Sequence, residues 1–90
     1  MLYIVSYDVI EDAHRNKIAK ILLDYGQRVQ YSVFECRMAD EQVSELIRRI
    51  TELVSEEDSL RIYNICRACE KTITVLGHGE VVQDKDVYIL

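Results

Sequence analysis

The spacing of apolar residues changes period along this chain, and that change constrains the fold more than any other feature. Residues 2–8 (LYIVSYD) are rich in β-branched and aromatic types and predict a strand. Over residues 12–25 the period becomes helical, with Ile18, Ile21, Leu22 and Tyr25 at i, i+3, i+4 and i+7. Asp12 is the expected N-cap of this helix and Gly26 its left-handed terminator. Residues 27–38 (QRVQYSVFECRM) alternate again, with Val29, Tyr31 and Val33 on one side and Arg28, Gln30, Ser32 and Phe34 on the other. Twelve residues exceed a usual strand, so a bend or bulge is expected near Gln30 to Ser32. A second helix over about 41–54 presents Val43, Leu46, Ile47, Ile50 and Val54 on one face, with Asp40 as its cap. Strands are expected at 59–66, 72–76 and 86–90, with a turn at Gly77 and Gly79.

The order strand, helix, two strands, helix, strand is the βαββαβ plan of an α+β, ferredoxin-like sandwich, with an antiparallel sheet and both helices on one face. Ninety residues suffice for one domain spanning 1–90, with residues 80–90 as a C-terminal strand extension. The sheet face away from the helices also carries apolar side chains. The terminal strand Asp86, Val87, Tyr88, Ile89 and Leu90 has no place within a four-stranded sheet. Both features predict a homodimer packed sheet against sheet, with terminal strands added to a partner's edge.

Charge narrows the partners. Residues 40–58 carry seven acids against Arg48 and Arg49, whereas acids and bases balance on either side, so the net charge of −5 resides in that stretch. An acidic average argues against indiscriminate nucleic-acid binding, which depends on neutralising phosphates, but the balanced remainder can present local basic faces. No apolar run reaches membrane-spanning length and no leader precedes the first strand, so a cytoplasmic protein without a membrane partner is expected. Cys36, Cys66 and Cys69 are an odd set of thiols. A single C-x-x-C is too few ligands for structural zinc, and small buried thiols are the expectation.

Several motifs carry a resemblance. YDV-x2-D-x2-R-x-K after the first strand, L-x2-YG-x-RVQ-x-SVFEC, and DSLRIY followed by LG resemble the Cas-two (Cas2) family of CRISPR-associated proteins, prokaryotic subunits of the spacer-acquisition machinery. The resemblance runs from Leu2 to Gly77. It implies a ferredoxin-like homodimer that bridges integrase subunits, and a metal-dependent phosphodiesterase (endonuclease) activity on RNA or DNA. The family's metal-binding acid falls on Asp8, its neighbouring tyrosine on Tyr7, its basic residues on Arg15 and Lys17, and the RVQ arginine on Arg28. The serine and phenylalanine of SVFE fall on Ser32 and Phe34.

The residues themselves leave two readings of Asp8. It caps a turn or the next helix, or it holds Mg²⁺ (Mn²⁺ suits the same oxygen ligands). One carboxylate is too little for such an ion, and a two-fold axis near the end of the first strand supplies a second from the partner's copy. Arg15 and Lys17, in the first turns of a helix, suit phosphate contact or plain surface exposure. Arg28 contacts phosphate or pairs with Glu35 or Asp24, the ion pair being the expected arrangement. Phe34, of a type usually buried, is expected to pack in the core, and Tyr7, which points to the face opposite Asp8, in the core or the dimer seam.

Overall fold

The structure is a computed structural model, and it describes residues 1–81. Strand β1 (Leu2–Asp8) leads into helix α1 (Asp12–Leu22). Strands β2 (Gly26–Gln30) and β3 (Val33–Arg37) form a hairpin, α2 (Asp40–Ile50) follows with a single 3-10 turn (Thr51–Leu53), and then come β4 (Ser59–Ile65) and the short helix α3 (Arg67–Glu70). The sheet order is β2-β3-β1-β4, antiparallel throughout. The expected βαββαβ plan is therefore observed.

The period-two pattern of β1 decides which face is covered. Tyr3, Val5 and Tyr7 are buried with Phe34, Cys36, Ile18, Leu22, Leu46 and Ile50 in one core between the sheet and the two helices. Ile4, Ser6 and Asp8 alternate onto the opposite face. There the register forms rows: Gln27, Glu35, Ile4 and Tyr63; then Val33, Ser6 and Arg61; then Asp8 beside Ser59. Tyr63 is 47% exposed on that face.

One polar cluster ties α2 to the loop that follows α1. The Tyr25 hydroxyl donates to Glu45 Oε1 and accepts from Arg49 Nη1 at 3.1 Å, and Arg49 Nη2 reaches Asp24 Oδ2 at 3.0 Å. The Arg49 guanidinium also lies 5.5 Å from the centre of the Tyr25 ring.

Several details differ from the sequence-based expectations. Helix α1 ends at Leu22, and Tyr25 reaches the core from the loop beyond it. Its N-cap is Glu11, without a side-chain cap, while Asp12 binds Arg15 instead. The N-cap of α2 is Ala39, whose N–H donates to the Gln42 side chain at 2.8 Å, so Asp40 is the first helical residue rather than the cap. Gly26 is not left-handed, since among described residues only Gly77 and Gly79 have positive φ, at 88° and 117°. Gly26 instead starts β2 so close to β3 that a Cβ would lie 2.1 Å from the Glu35 carbonyl oxygen. Ile47 is 46% exposed, at the edge of the α2 apolar stripe.

The expected strand at 72–76 is absent. After Ile65 the chain turns into α3, and the Thr72 and Ile73 N–H groups donate to the carbonyls of Cys69 and Glu70 at 3.0 and 3.2 Å, closing a turn. The residues TITVL, β-branched except for Leu76, have strand propensity but, among the described residues, pair in no ladder, and propensity without ladder hydrogen bonds does not make a strand. The expected strand Asp86 to Leu90 lies outside the described residues.

Candidate functional site

Asp8 is the last residue of β1 and is exposed. Its position follows from the sheet. Alternation turns it onto the uncovered face, register places Ser59 opposite it, and the β2–β3 turn stands beside it because the Tyr7 N–H donates to the Ser32 carbonyl at 3.1 Å. Two clefts meet at Asp8. One, of about 220 Å³, is lined by Tyr7, Asp8, Val9, Arg15, Tyr31 and Ser32. The other, of about 490 Å³, lies on the open face among Ser6, Asp8, Ser32, Ser59, Arg61 and Tyr63.

The expected site residues divide. Tyr7, Asp8, Arg15 and Ser32 come together at the smaller cleft. Tyr7 is 4% exposed and stacks against Phe34, with ring centres 6.3 Å apart, so Phe34 supports the cleft from the core. Lys17 stands apart. It follows Arg15 by two positions, about 200° around the helix, is exposed, and lines neither cleft.

Arg15 is largely engaged by the protein. Its Nη1 donates to the Val9 carbonyl at 2.8 Å and the Ile10 carbonyl at 3.5 Å, and Nη2 binds Asp12. The Tyr31 hydroxyl, with Asp12, holds the guanidinium firmly in its charged form. The arginine thus braces the loop that leaves β1 just after Asp8. Among the described residues, two buried donors on the cleft wall have no protein acceptor, Tyr7 Oη and Arg15 Nε. Buried polar atoms are ordinarily satisfied, so these two stand out among the described residues.

Arg28 does not take the expected ion pair with Glu35 or Asp24. It is opposite Phe34 in the register and shares its face, whereas Glu35 is opposite Gln27 on the other face, and Asp24 pairs with Arg49. The Arg28 guanidinium lies 5.3 Å from the Phe34 ring centre and 5.7 Å from that of Tyr31. The cause is the bulge between Arg28 and Gln30, slightly earlier than expected, which makes Val29 the extra residue.

Tyr31, Ser59 and Arg61 were not identified from the sequence. Tyr31 joins two arginines, its ring beside Arg28 and its hydroxyl on Arg15. Ser59 and Arg61 flank Asp8 only through the β1–β4 register. Their one signal was the DSLRIY motif itself.

Metal ligation was tested against the donors present. Asp8 and the hydroxyls of Ser6, Ser32 and Ser59 are hard oxygen donors of the kind Mg²⁺ and Mn²⁺ take. Among the described residues there is no group of three His, Cys, Asp or Glu that could hold an ion. The donor chemistry fits such an ion, but one carboxylate with neutral hydroxyls is fewer acidic ligands than these ions commonly take. Of the cysteines, only Cys36 is buried as expected, while Cys66 and Cys69 are exposed. No helix of the described residues is long and apolar enough to cross a membrane.

Comparison with known proteins agrees with this geometry. The model of the family described as CRISPR associated protein Cas2 matches residues 1–73. A protein of Chloroflexus aurantiacus named CRISPR-associated endoribonuclease Cas2 1 is 41% identical over 93 residues, covering 100% of both chains. The crystal structure of Streptococcus pyogenes Cas2 at pH 6.5 superposes with a TM-score of 0.74 at 34% identity, over 86% of this chain and 100% of that one. A chain in a partial Cas6-RT-Cas1–Cas2 complex superposes with a TM-score of 0.74 at 30% identity, over 83% of this chain and 89% of that one. With the motifs, the fold and these likenesses in agreement, the chain belongs to the CRISPR-associated Cas2 family.

Proposed function

We propose that this chain is a homodimeric subunit of CRISPR spacer acquisition that docks integrase subunits and contacts nucleic acid. In this reading, Asp8 of each copy contributes half of a divalent-metal phosphodiesterase site. The observation that carries it is the placement of Asp8 on the uncovered sheet face, at the end of rows containing the partly exposed Ile4, Val33 and Tyr63. A two-fold packing of that face buries its apolar rows and brings two carboxylates toward one another. Two such groups resist joint ionisation unless a cation lies between them. The similar Cas2 chain found in a complex with Cas1 supports an integrase partner, and the relative's name supports nuclease activity.

Asp8 would hold the ion, with Ser6, Ser32 and Ser59 able to supply neutral oxygens beside it. When bound, the ion polarises a phosphoryl oxygen and acidifies a water. Arg15, on the wall of the smaller cleft beside Asp8, would bring positive charge to a phosphate oxygen there. Arg61 adds positive charge on the open face. Arg15 also keeps the loop beyond Asp8 in place through Val9 and Ile10.

A second reading is favoured by the sparseness of this apparatus. One acid per chain and an arginine committed to main-chain carbonyls suit a rigid spacer whose Asp8 is catalytically idle.

A cleavage assay on RNA and DNA separates the two readings, using identically purified parent and Asp8→Asn proteins with and without Mg²⁺ or Mn²⁺. The expected result is an intact dimer and loss of divalent-dependent cleavage. If Asp8→Asn cleaves as fast as the parent, the catalytic reading of Asp8 is wrong. Survival of spacer acquisition in Asp8→Asn, with its loss on deletion of residues 86–90, selects the spacer.

A further inference from the structure

Cys66 and Cys69 take no part in the site around Asp8. They flank the first turn of α3: Cys66 is its N-cap residue, with extended backbone, and the Cys69 N–H donates to Cys66 Sγ at 3.3 Å. Both thiols are free and exposed. Residues three apart at a helix start lie side by side, with Cβ atoms about 5–6 Å apart, and closing a disulfide needs only a small further approach.

The two thiols are not equivalent. Hydrogen bonds from the Cys69 thiol and main-chain N–H lower the Cys66 pKa below that of an ordinary cysteine, and the same contact raises that of Cys69. A thiol stabilised as thiolate at the start of a C-x-x-C turn is the nucleophile of thiol–disulfide exchange. A structural zinc site would need two further ligands, and among the described residues no third His, Cys, Asp or Glu joins the pair.

We propose that Cys66 and Cys69 form a redox-active dithiol that exchanges with low-molecular-weight disulfides, Cys66 attacking and Cys69 resolving. The Cys66 thiolate attacks one sulfur of the small disulfide. Its S–S bond breaks as the Cys66 mixed disulfide forms, and the departing thiolate takes a proton from solvent. Cys69 then gives up its proton to solvent and attacks Cys66 Sγ, closing the intramolecular disulfide and releasing the second small thiolate. The protein dithiol loses two electrons, and the small disulfide gains them as it becomes two thiols.

The surroundings suit a confined reaction. Helix α3 is fastened to the sheet by the Arg37–Glu70 ion pair at 2.6 Å, with both side chains mostly covered. The Cys69 carbonyl accepts from the Thr72 N–H and hydroxyl at 3.0 and 2.7 Å. Ring closure therefore staples the turn by which the chain leaves β4. Cys36 serves as an internal control, because it is fully buried and burial pushes its thiol up to about 11.

The test is incubation of the full chain with oxidised glutathione, followed by alkylation and intact and peptide mass measurement. The parent should lose two hydrogen atoms, with the bridge mapped to Cys66 and Cys69, and Cys36 should alkylate only after denaturation. Cys69→Ser should stop at one glutathione on Cys66. Cys66→Ser keeps a hydroxyl cap for α3 and should gain glutathione at Cys69 several-fold more slowly. Melting curves check that both variants fold. Stable glutathione adducts on the parent, bridges between chains, or equal adduct rates in the two variants would overturn the proposal.

Discussion

The Asp58 carboxylate accepts a hydrogen bond from the Ile10 N–H at 2.9 Å, although the two residues are 48 positions apart. Its other oxygen accepts from the Ser55 N–H and hydroxyl at 2.9 and 3.0 Å. One side chain thus joins the loop that follows Asp8 to the loop that precedes Ser59, and these are the two strand ends that meet at the candidate site.

That clamp predicts a pH dependence. Hydrogen bonds from Ser55 and Ile10 hold the Asp58 pKa below its ordinary value of 3.8. A carboxylate with a lowered folded-state pKa contributes stability that is present above the unfolded value and lost as pH falls through the folded one. Asp58→Asn should therefore melt below the parent at neutral pH. The gap should close as the pH drops beneath 3.8 toward the folded-state value. A gap of constant size from pH 7 to pH 2, in melting curves of both proteins, would show that the charge is irrelevant.

The proposed sharing of one ion by two copies of Asp8 predicts a stoichiometry. If two copies share one ion, titration of Mn²⁺ into the protein should saturate at one ion per two chains, and Asp8→Asn should abolish the binding. Placing a charge on the same face, as in Ile4→Lys, should weaken both dimerisation and Mn²⁺ binding while leaving the core intact, since Ile4 faces away from it. Calorimetry combined with sedimentation reads both quantities. One ion per chain would refute the shared site.

Much of this architecture was legible because apolar period reports burial directly. Ile18 and Leu22, and Leu46 and Ile50, face the core that their spacing predicts, as does Tyr7 on the side of β1 opposite Asp8. Asp8 was legible as the charged end of such a strand. What failed was information carried by neighbours distant in sequence. Gly26 was read from the helix before it, but it is shaped by the backbone of β3. Residues 72–76 have strand chemistry but, among the described residues, join no ladder, although they share a groove with β2. The Arg15 contacts to Val9 and Ile10, and the placing of Arg61 next to Asp8, depend on loop path and register, which no local period encodes.

Phe34 is fully buried between Tyr7 and the Arg28 guanidinium, which gives separable contributions. Phe34→Ala should cost about 3–5 kcal/mol, as large aromatic truncations do in cores. Arg28→Ala removes an exposed cation–π contact worth about 0.5–1 kcal/mol. In a double-mutant cycle followed by urea unfolding, Arg28→Ala should cost less once Phe34 is leucine. Strictly additive losses would mean that Arg28 gains nothing from that ring.

Gly26 offers the sharpest steric test. An added Cβ would lie 2.1 Å from the Glu35 carbonyl oxygen, 2.6 Å from Cys36 Cα and 2.8 Å from Cys36 Sγ. The first two are backbone atoms of a paired strand and cannot swing aside. Relief requires β2 to move off β3, weakening the ladder that carries the Tyr31–Ser32 turn toward Asp8. Gly26→Ala should therefore lose about 3 kcal/mol, at the upper end of the usual cost of overpacking. Cys36→Ala leaves the two backbone clashes in place, so the double variant should recover little of the loss. Equal urea midpoints for Gly26→Ala and the parent would show that β2 stands far enough from β3 to admit a methyl group.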